Sequence, residues 1–244
     1  MVTLVLAAGD GARFKNYSNI PKPFITVNGK EIIKRTTDSI HKNNSNYDNW
    51  FFSIRTSHNI ESKLKSIYSN DINVINFDYL TRGNLETAYI STSKISDKSQ
   101  KLLILDSDNE YDGSGLLEKF SSINIGIGIC HFDPLDDSYK WGFSFSDQRG
   151  NVSEIREKDP AALNDGGKPM IGTFFFSSIE LFELLAKNVL KNQAPEKNEY
   201  YMTQCIKQAL KDGVSVISYK VENVIPLGTP EDVDNFIFRD KNKK

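Results

Sequence analysis

Asp106 and Asp108 stand directly after the apolar run LLIL at 102–105, so two carboxylates arrive just as a buried strand would reach its carboxyl end. Carboxylates in that place suit a hard divalent cation. A second candidate segment follows the first apolar run, where AAGDGARF carries Gly9, Gly11 and Arg13 in the pattern GxGxR. Glycines after a buried strand let the backbone approach a ligand, and successive N–H groups of such a turn form an anion nest. A glycine turn without a ligand reads equally well from that motif alone. In NIPKPFITVNGKEII, Lys22 lies between Pro21 and Pro23, which stiffen the loop presenting its ammonium group. Arg13 as a fork and Lys22 as a point charge could together neutralise a triphosphate and a second phosphate group. A dinucleotide fingerprint would need Gly where Phe14 stands, and a P-loop would need Gly-Lys followed by Ser or Thr, so both commoner motifs fail.

The elements that must hold these groups read as an α/β chain. With 244 residues, 39% of them apolar, the chain can bury a substantial core. Strands are expected at VTLVLA, NWFFSI, INVINF and KLLILD, with helices around residues 30–42, 59–68 and 84–95, giving βαβαβαβ and a mostly parallel sheet flanked by helices. The second half changes character. NIGIGICHF, WGFSFSD, NVSEIRE and MIGTFFF follow closely, separated by Gly, Asp and Pro, and predict a small β-rich extension. Two amphipathic helices come next: SSIELFELLAKNVL, with Ser177 and Glu180 at capping-box spacing, and YMTQCIKQALKDG, with Cys205 on its apolar face and Gly213 as its stop. A last helix starts at GTPED with Thr229 as cap, ahead of a solvated RDKNKK tail.

The formal net charge of −2 argues against a nucleic-acid partner. Cys130 and Cys205 cannot build a disulfide framework and lie in no CxxC pair. No tract of 18 apolar residues occurs, and the first apolar run has no basic segment before it, so a cytoplasmic protein without a membrane partner is expected. His41, His58 and His131 show no spacing that suggests a catalytic arrangement.

LVLAAGDGARF followed by PKPFITVNGKEII resembles the amino-terminal signature of the sugar-1-phosphate nucleotidylyltransferases. KWGFSFSDQRGNVSEIREKDP, MIGTFFFSS, NEYYMTQCIKQAL and LGTPEDVDNF are similar to later segments of the same family, so the resemblance covers most of the chain. It implies a GT-A-like, Rossmann-like single domain: residues 1–112 as nucleotide-binding half, 113–228 as acceptor-binding half, 229–244 as helix and tail. It also implies a Mg²⁺-dependent attack of a phosphomonoester oxygen on the α-phosphorus of an NTP, releasing pyrophosphate. Carried over by residue, Ala7, Ala8, Gly9, Gly11 and Gly83 would contact the nucleotide, Arg13 would clamp the triphosphate and Lys22 would stabilise the reacting phosphate. Asp108 would bind the metal with Asp106 as its neighbour, and Glu157, Lys158 and Gly172 would face the acceptor.

One departure stands out. The family's second metal-binding Asp, two residues before the Gly of GTPED, is replaced here by Pro226. The site would then use Asp108 alone, recruit Asp106 or Glu222, or be an inactive nucleotide-binding protein. DSD also matches the DxD of a glycosyltransferase, although such an enzyme would not be expected to carry both GxGxR and PKP. TRGNLETA, SDN and the proline before LGTPED look like a capsule-pathway branch that uses CTP and an amino-acid phosphate such as phosphoglutamine. Asp78, a nearby backbone carbonyl or Glu86 could then accept from the cytosine amino group. Arg156 is a further candidate cation for the acceptor's carboxylate, and Tyr139 and Trp141 would suit a sugar ring instead. The oligomeric state is not legible.

Overall fold

The computed structural model describes residues 1–41 and 47–241, the last two by backbone alone. Its elements are β1 (Val2–Ala7), β2 (Thr26–Val27), β3 (Lys30–Glu31), α1 (Ile32–His41), β4 (Trp50–Arg55), α2 (Glu61–Ile67), β5 (Asn73–Phe77), α3 (Asn84–Ser93) and β6 (Leu102–Asp106). They continue as β7 (Asn109–Asp112), α4 (Leu116–Ser121), β8 (Ile127–His131), β9 (Gly142–Ser146), β10 (Val152–Glu157) and β11 (Lys168–Phe176). The chain closes with α5 (Ile179–Asn192), α6 (Met202–Lys211), β12 (Val216–Lys220), β13 (Glu222–Pro226) and α7 (Pro230–Lys241).

Strands β5, β4, β1 and β6 run parallel in that spatial order. They are apolar runs because both faces of such a sheet are covered, and every residue of β1 is buried. Alternation still sorts their side chains: Val2, Leu4 and Leu6 join one core with Phe176, Phe182 and Ile206, while Val5 and Ala7 join the other with Phe52, Leu105 and Phe175. Beyond β6 the sheet turns antiparallel through β11, which pairs with β6, β8 and β9, and β10 extends it from β9. Strand β12 returns parallel to β8. The predicted α/β architecture with its β-rich extension is therefore present.

The register matters most for function. Leu6 lies beside Asp106, Ala7 beside Ile54 and Arg55 beside Phe77, so the carboxyl ends of the four parallel strands are level. A ligand crevice outside such ends, where the strand order reverses about β1, is the general expectation for open α/β sheets.

Several local expectations need correction. The cap of α5 is Ser178, whose hydroxyl accepts from Leu181 N at 3.0 Å, rather than Ser177, whose Oγ accepts from Gly126 N at 3.1 Å. Helix α7 begins at Pro230 with Thr229 capping Asp232 N at 3.1 Å, as expected, but it continues through Arg239 to Lys241 in place of a tail; residues 242–244 lie outside the described residues. The expected end of the first helix at residue 42 also lies outside them. Helix α4 and strands β7, β12 and β13 were not expected. Short segments such as NEYD lack a decisive period, and β7 is a strand only because β13 pairs with it. The expected apolar face of α6 is buried at Met202, Cys205, Ile206 and Ala209, with Leu210 partly buried, and Gly213 adopts the left-handed φ of +76° that ends the helix. Among the described residues no helix is long and apolar enough to cross a membrane.

His41 ends α1 with its ring 4.5 Å from that of Trp50, and burial holds its pKa down at about 4. The unfolded chain therefore takes up this proton first. Its contribution to stability is complete above about pH 6.5 and is lost progressively as pH falls toward 4. In urea titrations at pH 7 and pH 4, His41→Phe is expected to lose less stability than the wild type, by on the order of 2 kcal/mol. Equal losses would show that the ring is protonated at no cost in the fold.

Candidate active site

The loop after β1 is shaped by Gly11, which takes φ +62° and opens the tight turn Ala12–Phe14. Phe14 is buried and pins this turn, while Arg13 reaches across to the carboxyl-terminal segment, its Nη1 donating to the carbonyl of Gly228 at 3.3 Å. Gly9 has no left-handed φ, and a Cβ added there would meet nothing within 4 Å. The protein itself does not require glycine at that position.

Lys22 opens a second tight turn, Lys22–Phe24, anchored by buried Pro23 and Phe24. Its Nζ lies 2.7 Å from Asp108 Oδ2, with about a fifth of the lysine side chain and a quarter of the aspartate side chain exposed (20% and 25%). Asn109 Nδ2 donates to the other oxygen of Asp108 at 2.9 Å, and the backbone N of Leu227 donates to the Asp108 carbonyl at 2.8 Å. Asp106, the last residue of β6, is more enclosed. Burial, followed by the Asp108 charge, pushes its pKa up to about 7, against the opposing influence of Lys22 and a hydrogen bond with Asn84. Gly172 on β11 is what lets Asp106 fit: a Cβ on Gly172 would overlap the Asp106 carboxylate and lie only 2.6 Å from Asp106 Cβ.

Two cavities meet at these carboxylates. One, of about 500 Å³, lies over the carboxyl ends of β1 and β6 and is lined by Ala7, Ala8, Gly9, Gly11, Lys22 and Gly83, among others. The other, of about 790 Å³, opens toward β9, β10 and α6 and includes Arg13, Glu157, Lys158 and Gly172 in its walls. Asn84, Asp106, Asp108 and Tyr201 border both. Gly83 is required by packing, since a side chain there would collide with the backbone of Tyr200.

In the larger cavity, Glu157 Oε2 accepts from Thr203 Oγ1 at 2.7 Å, and burial raises its pKa against that bond and the nearby Lys158 charge. Lys158 takes φ +48° and donates from Nζ to Tyr201 Oη at 2.7 Å, with the same ammonium 4.2 Å from the Tyr201 ring centroid. Lys197 Nζ donates to the Lys158 carbonyl at 2.6 Å. Among the described residues, Arg13, Lys158 and Lys197 form no ion pair with a carboxylate. The cleft thus holds three cations whose hydrogen bonds go to neutral oxygens, with Glu157 close to one of them, Lys158; such an arrangement suits an anionic ligand.

The structure does not bring every candidate together. Asp78, exposed after β5, accepts from Thr56 Oγ1 at 2.7 Å and borders neither cavity. Glu86 is taken up by Arg82, whose backbone N and Nη2 both donate at 2.6 Å. Arg156 is held by Glu154, at 2.7 Å, and by Asp165. Glu222 pairs with Lys220 at 2.9 Å, apart from both cavities, so it does not stand in for the carboxylate missing at Pro226. Pro226 itself pairs with Asn109 and borders the larger cavity. Sequence reasoning missed Tyr201, Lys197 and Asp232. Asp232 lies in the first turn of α7, and its Oδ2 and that of Asp108 would be 3.9 and 3.3 Å from a Cβ on Gly228. Its signal was the Asp of GTPED, read there only as part of a helix start.

No protein-family model matches the chain. It is 26% identical over 228 residues to the bifunctional protein GlmU of Caldicellulosiruptor saccharolyticus, a match covering 90% of this chain and 47% of that protein, so the chain spans about half the length of that relative. Among solved structures, the nucleoside-diphosphate-sugar pyrophosphorylase from Vibrio cholerae RC9 superposes with a TM-score of 0.80 at 16% identity, covering 96% of this chain and 99% of that one. The inositol-1-phosphate CTP transferase from T. maritima does so with a TM-score of 0.73 at 17% identity, covering 99% and 94%.

Gly172→Ala is expected to displace Asp106 and to destabilise the fold by about 1–3 kcal/mol, as overpacking against a fixed neighbour does. Urea unfolding checks this, and an unchanged midpoint would show that β11 shifts at no cost. The resemblance to the sugar-1-phosphate nucleotidylyltransferases is thus one of sequence motifs and of fold along nearly the whole chain.

Proposed function

We propose that the protein is a nucleotidylyltransferase that transfers a nucleoside monophosphate from an NTP to a phosphomonoester acceptor and releases pyrophosphate. The observation that carries this reading is the junction of two cavities at Asp106, Asp108 and Lys22, with Arg13 and Lys158 facing it and unpaired with any carboxylate among the described residues. Gly9 fits it: nothing in the protein lies within 4 Å of where its Cβ would be, so the backbone there is open to close approach by a ligand.

On this reading the NTP lies over the Ala7–Gly11 loop, where backbone N–H groups hold the triphosphate, with Arg13 in the wall of the adjoining larger cavity. The acceptor phosphate enters from the Lys158 side. Its oxygen forms a bond to the α-phosphorus as the bond from that phosphorus to the bridging oxygen of the β-phosphate breaks. Pyrophosphate leaves with the electron pair. Such a transfer needs alignment and charge stabilisation, which Lys22, Arg13 and Lys158 supply, and no covalent nucleophile.

Mg²⁺ fits the donor set. Asp106 and Asp108 offer hard oxygens two residues apart; burial and, after it, the Asp108 charge raise the pKa of Asp106, and a bound cation would offset that repulsion. One or two carboxylates with phosphate oxygens suffice for this ion, so no cluster of three or more His, Cys, Asp or Glu is required, and none occurs among the described residues. Bound there, it would neutralise charge on the NTP phosphates.

We further propose CTP as the nucleotide and an amino-acid phosphate, such as phosphoglutamine, as the acceptor, in the synthesis of capsule or surface polysaccharide precursors. The T. maritima structural neighbour is a CTP transferase by name. Because Asp78 and Glu86 are engaged elsewhere, the cytosine amino group is left to the Leu80–Gly83 backbone that borders the nucleotide cavity. Glu157, whose carboxylate accepts from Thr203 alone among the described residues, suits an ammonium group of the acceptor, and Lys158 its anionic groups.

Pyrophosphate release is measured with Mg²⁺ across CTP, UTP, GTP, ATP and dTTP against sugar-1-phosphates, phosphocholine and amino-acid phosphates. Release is expected only when an NTP and a phosphomonoester are both present. Arg13→Ala, Lys22→Ala and Asp108→Ala are each expected to slow it by about 10²- to 10³-fold. Consumption of a nucleotide-sugar without pyrophosphate, or nucleotide binding without turnover, would overturn the assignment.

A further inference from the structure

Asp10 stands between Gly9 and Gly11 in the glycine loop and borders the nucleotide cavity. A carboxylate in that place repels an anionic ligand, so its charge has to be compensated or moved. In the structure both of its oxygens are occupied. Oδ1 accepts from Ala12 N at 3.1 Å and Oδ2 from Lys15 Nζ at 3.3 Å. Asp10 thereby sits on a backbone N–H and a cation much as a phosphate oxygen would. The Lys15 and Asp10 side chains are 65% and 43% exposed, so this ion pair is weak and easily given up.

Beside the loop lies a cation in the opposite state. Ile54 is level with Ala7 in the sheet, so Arg55, the last residue of β4, emerges next to the start of the loop. Its Nε and Nη1 are buried without a hydrogen-bonding partner among the described residues, as is His58 Nδ1. Buried N–H groups left unmet are costly and call for a partner that arrives in another state. His58 cannot serve as a counterion. Burial, and after it the Arg55 charge, holds its pKa down, so the ring is neutral at pH 7. Asp10 can serve. Burial works to raise its pKa, but the Ala12 hydrogen bond and the charges of Lys15 and Arg55 hold it below the usual carboxylate range. Asp10 and Arg55 are thus electrostatic neighbours with no hydrogen bond to Asp10 from Arg55 Nε or Nη1.

We infer that Arg55 is a positioning residue that receives the Asp10 carboxylate when a triphosphate occupies the glycine loop. This rests on the nucleotidylyltransferase reading. The incoming phosphates displace Asp10 from the Ala12 N–H and from Lys15, which then serve the ligand, and the carboxylate turns to the unpartnered N–H groups of Arg55. One rotation removes a like charge from the phosphates and pairs a buried guanidinium.

The test is calorimetric titration of CTP, UTP, GTP, ATP and dTTP with Mg²⁺ into the full chain, repeated in the variants for the nucleotide that the wild type binds most tightly. Arg55→Met is expected to weaken binding by about tenfold, because the carboxylate stays among the phosphates, and Arg55→Lys to retain most of the affinity. In the Asp10→Asn background the same Arg55→Met change is expected to have almost no effect. An arginine that only supports the fold, or that touches the nucleotide itself, would not show that rescue. Equal weakening in both backgrounds, or no weakening in either, would overturn the inference. A crystal structure of the wild-type nucleotide complex tests it without any variant: Asp10 is expected on Arg55, and a carboxylate still on Ala12 N would overturn it. Failure of every NTP to bind the wild type would instead overturn the reading beneath it.

Discussion

The contact between Lys22 and Asp108, 2.7 Å long, joins the two halves of the cleft. Its aspartate sits just past the end of β6, in the chain of residues that leads into β7, and its lysine sits on a proline-framed turn. Each is positioned by apolar residues that have nothing to do with charge: Leu102–Leu105 on one side, Phe24 and Pro23 on the other. Removing either partner would leave the other charge part-buried and unpaired, which costs more than the pair itself contributes. The ion pair therefore makes little sense as a stabilising device. On the proposed function it is a placeholder, the lysine covering a carboxylate that would take up another cation.

From that point the remaining features of the site become related. Asp106 needs Gly172 beside it, because β11 passes too close for any side chain. β11 runs there because the same strand pairs with β6, β8 and β9 and so links the parallel half of the sheet to the antiparallel extension. The extension supplies Glu157 and Lys158, and α6 supplies Thr203 and Tyr201 at its amino end to hold them. The two cavities are adjacent because one strand end, that of β6, borders both.

Much of this was legible from the sequence, for identifiable reasons. The parallel strands are continuous apolar runs, and such runs announce themselves. GxGxR and PKP are local motifs whose backbone consequences, a left-handed Gly11 and a proline-framed Lys22, follow from residue type. What was not legible depends on contacts between segments far apart in the chain. Strand β7 exists through β13, more than 100 residues away. Asp78 and Glu86 are drawn off by Thr56 and Arg82, partners that no periodicity reveals. Lys197 looks like one more lysine in a lysine-rich chain until its φ and the neighbouring Lys158 carbonyl are seen together.

On the proposed function, Asp108 exchanges Lys22 for a metal ion when a nucleotide arrives. The most direct measurement is calorimetric titration of CTP, with Mg²⁺ and with chelator, into the wild type and Asp108→Asn. The wild type is expected to bind CTP substantially more tightly with Mg²⁺, and Asp108→Asn to lose most of that difference while still binding metal-free CTP. Equal affinity of the wild type with and without Mg²⁺ would contradict it.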